Sequence, residues 1–400
     1  MRIDIGDFGS AWTHCGTKSN WNACGRAAKL RGNCGVNMIN KRFWNGKRVF
    51  ITGNTGFKGS WLSIWLNSMG AEVFGYSLNP PTKPSLFEVA KVKNITRTQI
   101  SDVRNLETLR RSILKVKPDI IFHMAAQPLV RESYKYPVET YQTNVMGTVN
   151  LLESVRQLKR REAILNITTD KCYENMEMLK KSYRETDPLG GYDPYSSSKA
   201  CSELITAAYR NSFFNPGECN KYRLAIATAR AGNVIGGGDW ARDRLVPDII
   251  KGLMDKKTVL IREPEAVRPW QHVLEPLYGY ILLAENLYKN GAEYMGSWNF
   301  GPKGTDIKNV EWIAKNIFVM WGKGAKYQIK SENRFHEAKY LRLNSQKAMK
   351  KLGWLPKWGV KKALKKTMEW YIAYSKDKEN MREMCVKQIR EYLDEKNKNR

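Results

Sequence analysis

The chain has 400 residues, 42% of them hydrophobic and 26% charged, a globular composition long enough to bury one large core or two intimate ones. Lys and Arg total 67 against 39 Asp and Glu, a formal charge of +28, but they are scattered and no recognisable nucleic-acid module accompanies them. No window approaches the roughly 18 consecutive apolar residues of a membrane helix, and no basic-then-apolar start resembles a secretory signal. We therefore expect a cytoplasmic protein with no membrane span and no nucleic-acid partner, whose basic field attracts an anionic small substrate.

Residues 1–37 carry Cys15, Cys24 and Cys34, many Gly and Asn, and no hydrophobic periodicity. Met38 opens Met-Ile-Asn-Lys-Arg-Phe-Trp directly ahead of the first strand pattern. We expect residues 1–42 to be an atypical extension, either upstream sequence before a natural start at Met38 or a disordered tail. Lys47–Thr52 is an apolar run of strand length, and Gly53–Gly59 is a glycine-rich turn. Trp61, Leu62, Ile64, Trp65, Leu66 and Met69 then recur at helical spacing up to Gly70. A strand is expected over 71–78, a short strand over 100–103, a helix over 106–115, a strand over 119–124, a long helix over 138–156 and a strand over 163–168.

This alternation predicts an α/β fold: a Rossmann-type, doubly wound parallel sheet with a smaller C-terminal substrate-binding lobe. The expected division is a dinucleotide-binding domain over 43–228, a mainly substrate-binding lobe over 229–375 and a charged helix or tail over 376–400. The seven cysteines form no C-x-x-C pair and the four histidines are dispersed, so no metal is expected.

Three runs carry chemistry. Gly53-Asn-Thr-Gly56-Phe57-Lys-Gly59 lies between a strand and a helix, where missing Cβ atoms let the backbone approach a pyrophosphate and the helix N-terminus offers free N–H groups. Tyr195-Ser-Ser-Ser-Lys199 puts a phenol and an ammonium on one helix face, and a nearby cation favours the phenolate. Thr168-Thr169-Asp170-Lys171 sets a hydroxyl, an acid and a base at a strand's carboxyl end. Asp102 and Val103 follow the third strand, where an Asp accepts from an adenine amino group or simply caps a loop. No acid or arginine near Ser77 decides between NAD and NADP.

With His123-Met-Ala-Ala-Gln127 and Asn144-Val-Met-Gly-Thr148, these runs resemble the extended short-chain dehydrogenase/reductase family. Arg230–Trp240, Asp243-Arg244-Leu-Val-Pro-Asp248 and Arg268-Pro-Trp-Gln-His-Val273 are similar to its nucleotide-sugar dehydratases, and within them to the CDP-glucose 4,6-dehydratases, over about 38–375. The resemblance implies NAD as cofactor, with Gly53, Gly56, Phe57, Gly59, Asp102, Val103, Ala125 and Ala126 along it. It also implies oxidation of CDP-glucose at C4, loss of water across C5 and C6, and hydride return to C6. Tyr195 would take the 4-hydroxyl proton, Thr169 bond the 4-oxygen, Lys171 remove the C5 proton and Asp170 protonate the leaving 6-hydroxyl. Lys199 would hold the nicotinamide ribose. Asn233, Arg244 and Arg268 would bind substrate, Asn233 and Arg268 at its pyrophosphate, which suits an arginine fork. A homodimer through two long helices, or a tetramer of such dimers, is implied too.

Other outcomes remain open to test: an epimerase or a dTDP-, UDP- or GDP-sugar enzyme on the same scaffold, or a binding protein without catalysis. Glu263 stands where this family usually has Asn, and Asn344 where it usually has Asp. Trp240 and Trp270 either flank the base or fill core, and His272 reads as packing.

Overall fold

The computed structural model describes residues 39–395, apart from 159, 161, 179–180, 216–223, 262, 323–326 and 330–339. The expectation for residues 1–37 lies outside the described residues. The folded body is already under way at Asn40, whose N–H donates to Glu285 Oε2 at 3.1 Å and whose side chain caps the short helix Lys41–Trp44.

Seven parallel strands form the main sheet: β1 (Arg48–Thr52), β2 (Glu72–Ser77), β3 (Arg97–Ile100), β4 (Ile120–His123), β5 (Glu162–Ile167), β6 (Leu224–Ala231) and β7 (Gly296–Phe300). Their order is β7-β6-β5-β4-β1-β2-β3, so the winding reverses between β1 and β4. Loops diverge there and leave a crevice at the carboxyl ends of the strands, where open α/β sheets bind ligands.

The central strands run mostly apolar because both faces of the sheet are covered there. Val49 and Ile51 enter one core while Phe50 enters the other, and Ile120 and Phe122 oppose Ile121 in the same way. Helices Leu106–Val116, Gly147–Arg156 and Pro194–Ser212 belong to one face, and Leu274–Asn290 packs under β5 and β6 on the other. Helix α1 (Phe57–Ser68) is buried at every position from Gly59 to Leu66, the pattern of a helix enclosed on all sides. The charged C-terminal segment supplies part of that enclosure. Its helix Met381–Asp394 buries Met381, Cys385, Ile389 and Tyr392, and Tyr392 meets Trp65 edge-on at 5.9 Å.

Two expectations shift. The third strand lies at Arg97–Ile100, three residues early, because this exposed edge strand lacks an apolar pattern. The helix expected over 138–156 contains a π-helical turn, Gln142–Met146, between Pro137–Tyr141 and Gly147–Arg156. The extra residue per turn swings Asn144 sideways, where its amide accepts from Gln127 N–H at 2.9 Å and donates to Gln127 O at 3.1 Å and Ser198 Oγ at 2.8 Å. Asn144 thereby joins the loop after β4 to the helix that carries Tyr195 and Lys199.

Candidate active site

The glycine turn follows β1 directly. Gly53 has φ +78°, and a Cβ there would lie 2.7 Å from Ala125 N. A Cβ on Gly59 would overlap the Gly53 carbonyl. The fold itself demands both glycines, whereas a Cβ on Gly56 would meet only Gly53 O, at an ordinary 3.4 Å. Gly56 is also the N-cap of α1, and no side chain caps that end. The uncapped amides and open approach fit an anionic group such as a dinucleotide pyrophosphate. Phe57 faces inward, its ring beside Gly236, so its contribution there is its backbone.

Across the crevice the loop after β4 is held by Thr52, whose Oγ1 accepts from Met124 N at 3.1 Å and Ala125 N at 3.2 Å. Ala125 and Ala126 thus stand opposite the glycine turn. His123 is locked between Thr52 Oγ1 at 2.8 Å and Thr148 Oγ1 at 3.3 Å, and burial pulls its imidazole down to about 3. Asp102 is engaged by Arg104, which reaches its two carboxylate oxygens through N, Nε and Nη2 at 2.6–2.8 Å. Val103 is buried beneath Gly147.

Thr169, Asp170 and Lys171 form the turn after β5. Thr169 Oγ1 donates to Asp170 Oδ1 at 3.1 Å and accepts from Lys171 N at 3.4 Å. Burial raises the Asp170 carboxyl, against the opposing charges of Lys171, Lys58 and Arg268. A raised carboxyl gains acid character as a proton donor. Tyr195 enters the same space from helix Pro194–Ser212, whose N-cap Asp193 accepts from Ser196 N. Thr169 stands close enough to favour ionisation of its phenol.

Here the structure departs from the expected phenolate. Burial pushes the Tyr195 phenol up to about 12, with Thr169 and Arg244 opposing. Lys199 instead donates to Ile167 O at 3.1 Å, and burial lowers its ammonium to about 8. Desolvation outweighs the expected cation effect.

Arg244 pairs with buried Asp239 at 2.9 Å and acts on both Tyr195 and Lys58. Asn233 follows β6, and Arg268 Nη1 donates to Val267 O while its charge acts on Asp170. Lys58 was missed by sequence reasoning, which gave it no role within the glycine motif. Burial lowers its ammonium to about 8, with Arg244 next in effect and Asp170, Lys199 and Asp239 also acting on it. A lysine in the first turn after a phosphate-type glycine loop was the available signal.

Trp240 packs against Tyr371 and Tyr374, and Trp270 Nε1 donates to Lys308 O at 2.9 Å, so both are core. His272 is enclosed by Trp61 and Trp358. Glu263 adopts φ +47°, the left-handed backbone that Asn tolerates better, which accounts for the usual residue there. Asn344 Oδ1 accepts from Gln346 N at 2.9 Å, a capping contact an Asp would also make.

Sheet, glycine turn and the Thr169–Tyr195–Lys199 cluster define a Rossmann-type enzyme of the dehydratase and epimerase class. Residues 50–367 match the family model described as GDP-mannose 4,6 dehydratase, and the chain belongs to that family. It is 52% identical over 357 residues to the CDP-glucose 4,6-dehydratase of Salmonella typhimurium, covering 89% of this chain and 99% of that relative. A dTDP-glucose 4,6-dehydratase from Streptomyces venezuelae, solved with NAD bound, superposes with TM-score 0.69 at 22% identity, covering 81% of this chain and 97% of that one. The UDP-glucose 4-epimerase of Thermus thermophilus, also solved with NAD, gives TM-score 0.69 at 23% identity, covering 81% and 99%. These two likenesses establish the fold.

Proposed function

We propose that the chain dehydrates CDP-D-glucose to CDP-4-dehydro-6-deoxy-D-glucose. The observation that carries this reading is the Thr169-Asp170-Lys171 turn. A buried carboxyl, raised by that burial above the usual carboxylate range, stands between a hydroxyl and an amine, beside Tyr195. An epimerase has no need of that acid and base together. The half-identical Salmonella relative supports the choice of nucleotide.

Residues 43–228 hold the cofactor and 229–375 mainly hold the substrate. NAD bound along Gly53, Gly56, Phe57, Gly59, Asp102, Val103, Ala125 and Ala126 supplies the hydride acceptor and donor. With substrate bound, Tyr195 takes the proton of the 4-hydroxyl as its phenolate, the form that the positive charge of Lys199 favours, and Thr169 hydrogen-bonds the 4-oxygen. Lys199 steadies the ribose and supplies positive charge beside the phenol. The resulting 4-ketone acidifies C5–H, whose proton passes to Lys171, while Asp170 protonates the leaving 6-hydroxyl. Asn233, Arg244 and Arg268 bind the substrate, Asn233 and Arg268 at its pyrophosphate.

The enzyme is cytoplasmic and homodimeric in this reading. Val138, Tyr141, Met146 and Leu204 are exposed along segments 137–156 and 194–212, an apolar stripe that suits a second copy. Among the described residues no helix is long and apolar enough to cross a membrane. The test is a panel of CDP-, dTDP-, UDP- and GDP-glucose with NAD, read as the 4-keto-6-deoxy product. Product from CDP-glucose in clear preference supports the reading. Preference for another nucleotide, or epimerisation alone, contradicts it.

A further inference from the structure

Glu203 and Arg230 make a fully buried ion pair behind the catalytic turn, each side chain 2% exposed. Glu203 lies four residues beyond Lys199, on the same face of helix Pro194–Ser212. One of its oxygens accepts from Thr168 Oγ1 and from Arg230 Nε at 2.9 Å. The other accepts from Thr228 Oγ1 at 2.7 Å, Arg230 Nη2 at 2.8 Å and Ser297 Oγ at 3.1 Å. Burying such a pair is a poor source of stability, because desolvation offsets its Coulombic gain. With donors crowded onto both oxygens, what it gives is fixed geometry.

The geometry it fixes is specific. Thr168 immediately precedes Thr169, and Tyr173 follows the turn at Cys172. Arg230 Nη1 donates to the Tyr173 hydroxyl at 2.7 Å, and its guanidinium lies 4.8 Å from the centre of that ring. Tyr173 in turn donates to Asn299 Oδ1 at 2.8 Å, on β7. Glu203 therefore holds the start of the Thr169–Cys172 turn, Arg230 holds its end, and the two are bonded to each other. Lys199 ties down Ile167, one residue earlier still.

We propose that Glu203 and Arg230 are positioning residues for the elimination step, clamping both ends of the turn so that Asp170 and Lys171 address the same C5–C6 bond. This rests on the dehydratase reading above. In that step the C5 proton passes to the Lys171 amine and the C5–H electron pair becomes the C5=C6 bond. The C6–O bond breaks, and the hydroxyl leaves as water with the proton of Asp170. Misplacing reacting groups by about 1 Å costs on the order of a hundredfold in rate. C4 oxidation draws on Tyr195 and Lys199, which sit on the helix, and takes from the turn only the Thr169 hydrogen bond. Elimination takes both its acid and its base from the turn, so loosening the clamp slows elimination more than oxidation.

Thr168→Val and Tyr173→Phe each remove one hydroxyl from the clamp and leave the ion pair intact. With thermal unfolding as a check on folding, each is expected to lower kcat on CDP-glucose about ten- to a hundredfold, with KM changed less than about threefold. In a single turnover, C4 oxidation, read as the absorbance of reduced nicotinamide, persists while product formation lags. Thr168→Ser keeps the hydroxyl and retains kcat. Unchanged kcat in both folded variants, equal loss of oxidation and elimination, or a loss in Thr168→Ser matching that in Thr168→Val overturns the proposal. If the wild-type chain does not turn over CDP-glucose, the dehydratase reading fails first, and amide exchange then decides the clamp. An exchange rate about tenfold faster across 168–173 in Tyr173→Phe, with the rest of the sheet unchanged, supports it. Unchanged exchange in that segment removes it.

Discussion

The Lys199 ammonium donates to the main-chain oxygen of Ile167 at 3.1 Å, so the helix that carries Tyr195 is tied to the strand that leads into Thr169. Burial brings Lys199 down to about 8, with Glu203 opposing, and pushes the Tyr195 phenol up to about 12. Below about 8 the lysine is a cation that favours ionisation of the phenol, and above it that charge is lost. kcat/KM is therefore expected to fall as pH rises through about 8, since that ratio reports the free enzyme's ionisations. Lys58 also titrates near 8, but Lys58→Met is expected to keep the limb and Lys199→Met to abolish it, with activity down at least about a hundredfold. A profile flat to about pH 10 contradicts this assignment.

Asp170 is the proton donor of this account, and burial moves its carboxyl towards the protonated form. Asp170→Asn keeps the shape and removes the transferable proton. Product formation is expected to fall by about 10²–10⁴, with C4 oxidation still detectable in a single turnover. Turnover within about threefold of wild type would assign the acid elsewhere.

Glu263 holds φ +47°, and its Oε1 is buried without a hydrogen-bond partner among the described residues. A left-handed backbone costs an ordinary L-residue roughly 1–2 kcal/mol, less for Asn. Glu263→Asn is expected to raise the denaturant midpoint at unchanged slope, with the unfolding free energy up by about 1 kcal/mol. A lowered midpoint means that the glutamate makes a compensating interaction.

Glu162 opens β5 fully buried, and its carboxylate has no hydrogen-bond partner among the described residues. Arg160 Nε approaches to 3.8 Å, but burial dominates and raises the carboxyl to about 8. The unfolded chain releases this proton near 4.5, so stability drains away as pH rises from there to about 8. Glu162→Gln removes that loss. Its advantage over wild type is expected to grow across the window at up to about 1.4 kcal/mol per pH unit, read by denaturant unfolding. A pH-independent difference contradicts the raised carboxyl.

The β-α alternation was legible because both sheet faces are covered, leaving near-continuous apolar runs such as Arg48–Thr52 and Ile120–His123. The edge strand Arg97–Ile100 carries no such signal. The π turn around Asn144 is invisible to a 3.6-residue period, since the apolar residues on either side still fit one helix. In the site, Thr169, Asp170, Lys171, Tyr195 and Lys199 could be read because they fall within two short runs. The Glu203–Arg230 pair could not, because its role depends on segments far apart in sequence, and Lys58 had only its place after the glycine loop to mark it. The Tyr195 ionisation was misjudged for a related reason: spacing places a lysine near a phenol but says nothing about how deeply both are buried.

The most direct test of the proposed chemistry is incubation of the protein and NAD with CDP-glucose deuterated at C4. Product with the 4-deuteron at C6, and, when unlabelled CDP-glucose is turned over in D2O, solvent deuterium at C5, is the expected result. It requires hydride to leave C4 and return within one active site while C5–H is exchanged through the acid–base turn. Deuterium lost to solvent, deuterium retained at C4, or no 4-keto-6-deoxy product from a folded protein would contradict it.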